Sequence, residues 1–283
     1  MALYRPFNKQ WLYWDKDLIG RPGQFSKIFP NKIKQAQNVV INTGVGKGKD
    51  FSALISDFIS DYSLISPNQA YPLYHYDDLG NRTYAISGFC LNLFRKHYED
   101  NAIAEEEIFY YIYAVFHHKG YLEKYKHSLE KEDPRIALSP DFKELSILGK
   151  ELAELHLNYE SGEMHTSVQY GILKDAEEER GDYYDMEKME KEMKKGEYRI
   201  IYNQNTTITQ IPKKAFDYVL NGKSAIDWVI ERYQKTMDKD SLIGNNPNDY
   251  AGGKYVFELL CMVIKLSVKS VDLIEKISEK KFE

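Results

Sequence analysis

An α+β fold is predicted, a mixed β-sheet with packed helices followed by a smaller part made of a hairpin and helices. Three observations predict it. Strand-like segments cluster before residue 80 and again between 168 and 211, whereas helical periodicities fill 105–157 and 224–277. Such blocks favour α+β over a regular βαβ alternation. A chain of 283 residues can bury a sizeable core, as one large domain or two small ones. No internal repeat is present. The division expected is an α/β core over 1–158 and a C-terminal part over 159–283, with a charged insertion over 175–195.

The elements follow in order. Leu3-Tyr4-Arg5-Pro6-Phe7 through Trp11-Leu12-Tyr13-Trp14 is aromatic and short-period, and reads as strand, turn, strand. Val39-Val40-Ile41-Asn42 is a β-branched strand running into a flexible loop, Thr43-Gly44-Val45-Gly46-Lys47-Gly48-Lys49. Strands are expected over 58–65 and 70–76, with a turn at Asp77-Asp78-Leu79-Gly80-Asn81. Ile108, Tyr111, Ile112, Val115 and Phe116 recur at helical spacing behind Glu105-Glu106-Glu107, acidic residues that suit a helix N-terminus. Ser139 caps a second helix, with Pro140 first and a stripe of Phe142, Leu145, Leu148, Leu152 and Leu155. Residues 168–173 read as a strand, 175–195 as a charged segment of weak helical character, and 199–202 with 206–211 as a hairpin around Asn203-Gln204-Asn205. Helices over 224–235 and 254–277 close the chain.

Composition sets limits on function. The net charge of −5 excludes a protein coated in basic residues, but it averages over an asymmetry. Residues 1–50 hold nine Lys/Arg against three Asp/Glu, and residues 160–198 hold six against twelve. A local basic face suffices to meet phosphates, because salt screens fields beyond about 10 Å. Twenty-three tyrosines suit half-buried strands and wet interfaces, where the ring packs and the hydroxyl stays bonded. Cys90 and Cys261 lie far apart among apolar neighbours and read as buried free thiols of a reducing cytosol. No signal peptide and no membrane-spanning run are visible.

The motifs of chemistry fail one by one. Gly46-Lys47 and Gly48-Lys49 lack the Ser/Thr of a P-loop, and Gly222-Lys223-Ser224 has Asp217 where the earlier glycine belongs. Asn246-Pro247-Asn248-Asp249 lacks the second proline of an adenine methyltransferase motif and reads as a turn. Glu192-Met193-Lys194 has part of a nuclease spacing but falls in the stretch expected to be helical. The seven histidines and two cysteines show no zinc spacing. A chain of this length without a catalytic motif points to binding or recognition, with no catalytic centre and no metal site of its own expected; an enzyme of unrecognised type stays the alternative.

Leu3-Tyr4-Arg5-Pro6-Phe7-Asn8 with Trp11-Leu12-Tyr13-Trp14-Asp15 resembles the start of the C-terminal specificity region of type ISP restriction-modification enzymes. These single chains join nuclease, helicase-like motor, adenine methyltransferase and target-recognition domain. Ala70-Tyr71-Pro72-Leu73-Tyr74, the run from Ile108 to His117, Pro134-Arg135-Ile136-Ala137-Leu138 and the run from Gly149 to Leu157 are similar to the family in the same order. So are Ile211-Pro212, Asn221-Gly222-Lys223-Ser224-Ala225-Ile226-Asp227-Trp228 and Glu231-Arg232-Tyr233. Two departures stand out. Thr43-Gly44-Val45-Gly46 occupies the place of the family's Ser/Thr-Arg-Gln, and the motor, nuclease and methyltransferase motifs are missing, as in a fragment, a split gene product or a separate specificity protein.

The resemblance implies recognition of double-stranded DNA on behalf of methyltransferase and helicase domains, with no cofactor in this chain and S-adenosylmethionine, ATP and Mg²⁺ used elsewhere in the parent enzyme. Phosphate contacts are expected at Arg21, Lys27, Lys32, Lys34, Lys47 and Lys49, and base contacts at Asn42, Thr43 and Arg82. Lys223 is placed either against its own helix turn or on phosphate, while Arg5 and Arg135, each beside a proline, are expected to hold structure. The competing reading is a scaffold that couples motor and methyltransferase and touches DNA little, motivated by the acidic stretch over 160–198 and the apolar stripes of the late helices.

Overall fold

The computed structural model describes all residues except 14, 16, 17, 19–22, 31–36, 46, 47, 66, 172–182, 195 and 283. Helices and several small sheets occur in separate blocks, the α+β arrangement expected. The chain divides into two compact units, the first comprising 1–157, 220–222 and 272–283 and the second 158–219 and 223–271. The sequence suggested a single cut. The structure returns the short turn at 220–222 and the chain's last residues to the first unit.

In the first unit, β1 (Ala2–Arg5) turns at Phe7, whose φ is +59°, into β2 (Asn8–Gln10). The second strand thus precedes the aromatic run instead of containing it, and Trp11 is left 85% exposed. A single helical turn, α1 (Phe25–Ile28), leads to β3 (Val40–Val45), the centre of a sheet flanked by β4 (Phe51–Ser56) and β6 (Gln69–Pro72). Pro72 is tolerated because β6 is an edge. The strand expected over 58–65 shrinks to β5 (Ile59–Ser60), parallel to β1. Its continuation is broken by Asp61, whose carboxylate accepts the Ser63 N–H at 2.8 Å and binds Arg5 at 2.7 Å. The expected strand 70–76 is likewise two: β7 (Tyr74–Tyr76) leaves β6 to pair with β8 (Arg82–Tyr84) as a separate ribbon.

Helices α2 (Gly88–His97), α3 (Glu105–Val115), α4 (Lys119–Lys124), α5 (Lys126–Leu129) and α6 (Phe142–Leu157) cover one face of the β3 sheet. Ile41, Ala53 and Ile55 join Phe109, Tyr113, Phe142, Leu145 and Leu152 in one core. Gly149 lets α6 approach α3 closely: a Cβ there would lie 2.0 Å from the Tyr110 carbonyl oxygen. The tyrosine content finds a local explanation. Hydroxyls of Tyr121, Tyr111 and Tyr98 donate to the carbonyls of Arg135, Ala137 and Ser139, at 2.7, 2.5 and 2.7 Å. Alternate carbonyls of an extended segment point the same way, so this segment is held by side chains where a neighbouring strand would otherwise serve. Ser139 accepts the Asp141 N–H at 3.0 Å ahead of α6, which starts two residues later than its sequence suggests.

The second unit is built on a sheet of order β10 (Glu190–Lys194), β11 (Glu197–Ile201), β12 (Thr206–Ile211) and β9 (Val168–Tyr170). The β11–β12 hairpin is the one expected. Residues 190–194 correct the helical expectation for 175–195: they pair residue for residue with β11 as a charged edge strand, a common way to blunt a sheet edge. Much of the remaining insertion lies outside the described residues. Beyond β13 (Val219–Leu220) and β14 (Lys223–Ser224), Ser224 caps α7 (Ala225–Arg232) by accepting the Asp227 N–H at 3.1 Å. Strands β15 (Thr236–Met237) and β16 (Gly244–Asn245) pair antiparallel. A helical turn, α8 (Pro247–Tyr250), precedes the long α9 (Gly253–Ser278), of which residues 253–271 belong to this unit. Leu259, Leu260, Val263 and Ile264 on α9 are fully buried, so its apolar stripe is core. Both cysteines are free; Cys261 is buried as expected, whereas Cys90 is only half-buried.

Candidate nucleic-acid interface

The end of β3 is a packed structure, and this changes the role of two candidates. Asn42 is fully buried; its amide nitrogen donates to Leu54 O (3.1 Å), Val40 O (3.3 Å) and Ser56 Oγ (3.1 Å), and its carbonyl accepts from Asn68 Nδ2 (3.1 Å). A side chain so committed cannot reach a base edge, which corrects the expectation for Asn42. Thr43 is buried too, at a cleft of about 550 Å³ rimmed by Glu130, Glu132 and Asp133 against Lys131, an acidic balance that disfavours phosphate. Gly44 belongs to the strand and not to a flexible loop. A Cβ there would lie 2.2 Å from Ile65 O and 2.3 Å from Pro67 O, so glycine is required by close approach.

The β7–β8 ribbon presents a different surface. Its base is clamped by buried Asn38, which donates to Tyr74 O at 2.8 Å and accepts the Tyr74 N–H at 3.1 Å. The Tyr76 hydroxyl adds a bond to Gln37 O at 2.8 Å. Its tip is set by Asp77, whose carboxylate accepts N–H groups of Leu79 (2.9 Å) and Asn81 (2.8 Å) and the Asn81 amide (2.9 Å). These bonds hold the Asp77 carboxyl below the usual range. Gly80, with φ +88°, closes the turn. Arg82 is exposed, and its guanidinium lies 4.4 Å from the centre of the Tyr74 ring. Tyr74 is in turn fixed by its hydroxyl on Glu106 at 2.8 Å. Sequence reasoning recognised the turn and Arg82 but missed Asn38 and Tyr74, whose roles are visible only once the ribbon is paired.

Of the remaining lysines and arginines, Lys27 is exposed on α1. Lys49 is half-buried, its stem 3.1–3.4 Å from where a Cβ of Gly222 would sit. It lines a cleft of about 290 Å³ with Lys119 and Lys126, balanced by Asp50, Glu123 and Glu130. Lys223 pairs with Glu231 and lies 5.0 Å from the Trp228 ring centre. Arg5 holds Asp61 as expected, whereas Arg135 is exposed and pairs with nearby Glu132 at 3.0 Å. Arg21, Lys32, Lys34 and Lys47 lie outside the described residues.

Among the described residues no cluster of His, Cys, Asp and Glu could hold a metal ion. Glu192 of the nuclease-like triplet is spent on Arg199 across the β10–β11 pair. Asn246 accepts the Asn248 N–H at 3.4 Å at the start of α8, a turn as expected. No described helix is long and apolar enough to cross a membrane.

Comparison with known proteins places these features in a class. The family model described as the type ISP C-terminal specificity domain matches residues 1–259. This chain belongs to that family. Three DNA-bound structures are similar to it. A nuclease-deletion mutant of the type ISP restriction-modification enzyme LlaGI, with a DNA substrate mimic, is 34% identical with TM-score 0.81, over 100% of this chain and 24% of that one. The ATP-dependent type ISP enzyme LlaBIII bound to DNA is 34% identical with TM-score 0.85, over 100% of this chain and 18% of that one. The DrdV–DNA complex is 31% identical with TM-score 0.82, over 97% of this chain and 28% of that one. The chain therefore spans less than a third of each of these relatives. No curated protein matches it.

Proposed function

We propose that this chain reads DNA sequence for a type ISP restriction-modification enzyme, directing adenine methylation and cleavage carried out by other domains. The observation that carries this reading is the specificity-domain match over 1–259, together with 34% identity across the whole chain to enzymes solved on DNA. A methyltransferase that flips one adenine needs a separate surface to choose which one. On this reading the partners are double-stranded DNA and the methyltransferase and helicase domains, working in the cytoplasm. S-adenosylmethionine, ATP and Mg²⁺ act in those other domains.

The test is selection from a randomised duplex library by this chain, followed by titration of the selected duplex with salt. Enrichment of one sequence, with affinity falling linearly in log salt, is the expected result. Sequence-independent or absent binding favours the scaffold reading, in which the chain couples motor and methyltransferase. The buried stripe of α9 removes one motive for that alternative. Turnover by this chain alone, with S-adenosylmethionine and Mg²⁺, would instead make it an enzyme.

A further inference from the structure

We infer that the β7–β8 ribbon enters the major groove and that Arg82 reads a guanine there, an inference that rests on the DNA-reading function proposed above. The ribbon has the right form. A two-stranded antiparallel ribbon is among the few elements that fit a groove about 12 Å wide; β7 and β8 pair as such a ribbon, with Tyr74 and Tyr76 of β7 anchored in the core and all of β8 exposed to meet a ligand. It is prepared in advance. Asn38 clamps the base, and Asp77 sets the tip through three bonds of 2.8–2.9 Å. A site so supported loses little freedom on binding. Its apex is turned outward: Leu79 is 89% exposed at the end of the hairpin.

Arg82 is the donor this ribbon offers. It is exposed, and among the described residues it has no carboxylate partner. The stack on Tyr74 fixes the plane of its guanidinium while leaving the N–H edge for a ligand, and Tyr74 is held by Glu106. Guanine O6 and N7 form the commonest bidentate acceptor for such an edge. Phosphate is the competing acceptor, and the tip argues against it. Asp77 and Asp78 both sit there, and carboxylates beside the donor repel a backbone phosphate more than a base edge.

The experiment uses this chain with Arg82→Ala, and with Arg82→Met, which keeps a stem on Tyr74. Each is put through the same library selection and salt titration, with melting temperature as the fold control. The expected result is an unchanged melting temperature and salt slope, with preference for guanine lost at a single position by roughly 5- to 100-fold. Uniform weakening across all sequences with a slope smaller by about 0.9 would make Arg82 a phosphate contact and overturn the inference. An unchanged preference would remove the ribbon from the groove. If the unsubstituted chain selects no sequence at all, the DNA-reading function itself fails, a result distinct from either.

Discussion

The hydroxyl of Tyr113 lies 2.6 Å from Nδ1 of His156 in the middle of the first unit. That hydroxyl also accepts the Ile55 N–H at 3.2 Å. His117 sits beside the pair, its ring centre 5.9 Å from that of His156 and its Nδ1 bonded to Tyr113 O at 2.8 Å. Sheet, α3 and α6 are thus joined through the Tyr113 hydroxyl and the buried ring of His156.

Burial pushes the His117 pKa down to about 4 and holds that of His156 well below its ordinary value, His117 adding repulsion. Unfolded histidine titrates near 6.5. Between that value and about 4 the unfolded chain binds more protons than the folded one, so stability is full above pH 6.5 and falls with acidification. The expected loss is up to about 1.4 kcal/mol per pH unit for each ring. Urea midpoints from pH 7.5 to 5 measure it. His156→Gln starts less stable at pH 7.5 and shows a shallower slope; an equal slope in both proteins refutes the assignment.

The close approach of α6 to α3 gives a second test. Gly149→Ala puts a methyl group 2.0 Å from the Tyr110 carbonyl oxygen, a backbone atom that cannot turn aside. The two helices must separate, at a cost of roughly 1–3 kcal/mol, which a urea midpoint reads. Gly162→Ala is the control, since the nearest atom to its added carbon is 3.8 Å away.

These two relationships mark where sequence reading stops. The elements with strong periodicity, α3, α6, α7, α9 and the β11–β12 hairpin, are legible because one apolar face repeats at a fixed interval. The 58–65 segment misleads because its apolar residues resemble a strand, while Asp61 captures the Ser63 N–H and ends it. Residues 190–194 mislead because a charged edge strand carries no apolar alternation. At the candidate interface, charge and polarity suggest Asn42, yet its contacts come from Leu54, Ser56 and Asn68, which are distant in sequence. Arg82 is legible as a donor, but the Asn38 clamp under it is not.

Asn42 separates folding from recognition. Replacing it with alanine leaves the buried Leu54 carbonyl and the half-buried Asn68 amide without this partner, which costs about 1–3 kcal/mol. Asn42→Ala should therefore lower the unfolding midpoint while leaving the sequence selected from a duplex library unchanged. A changed selection at full stability would return Asn42 to the interface.

The lysines divide by how much of their charge is already matched. Lys27 is exposed on α1, whereas Lys223 is paired with Glu231 and packed against Trp228. A lysine that neutralises a phosphate releases counterions, so removing it reduces the slope of log affinity against log salt by about 0.9. Lys27→Ala should show this change and Lys223→Ala should not. Lys223→Ala should instead lower stability by no more than about 1 kcal/mol, the worth of a partly exposed ion pair. Salt titrations from 50 to 200 mM with one duplex compare both variants directly. An unchanged slope for Lys27→Ala would take α1 off the phosphate backbone, and a reduced slope for Lys223→Ala would show that its pairing with Glu231 opens when DNA arrives.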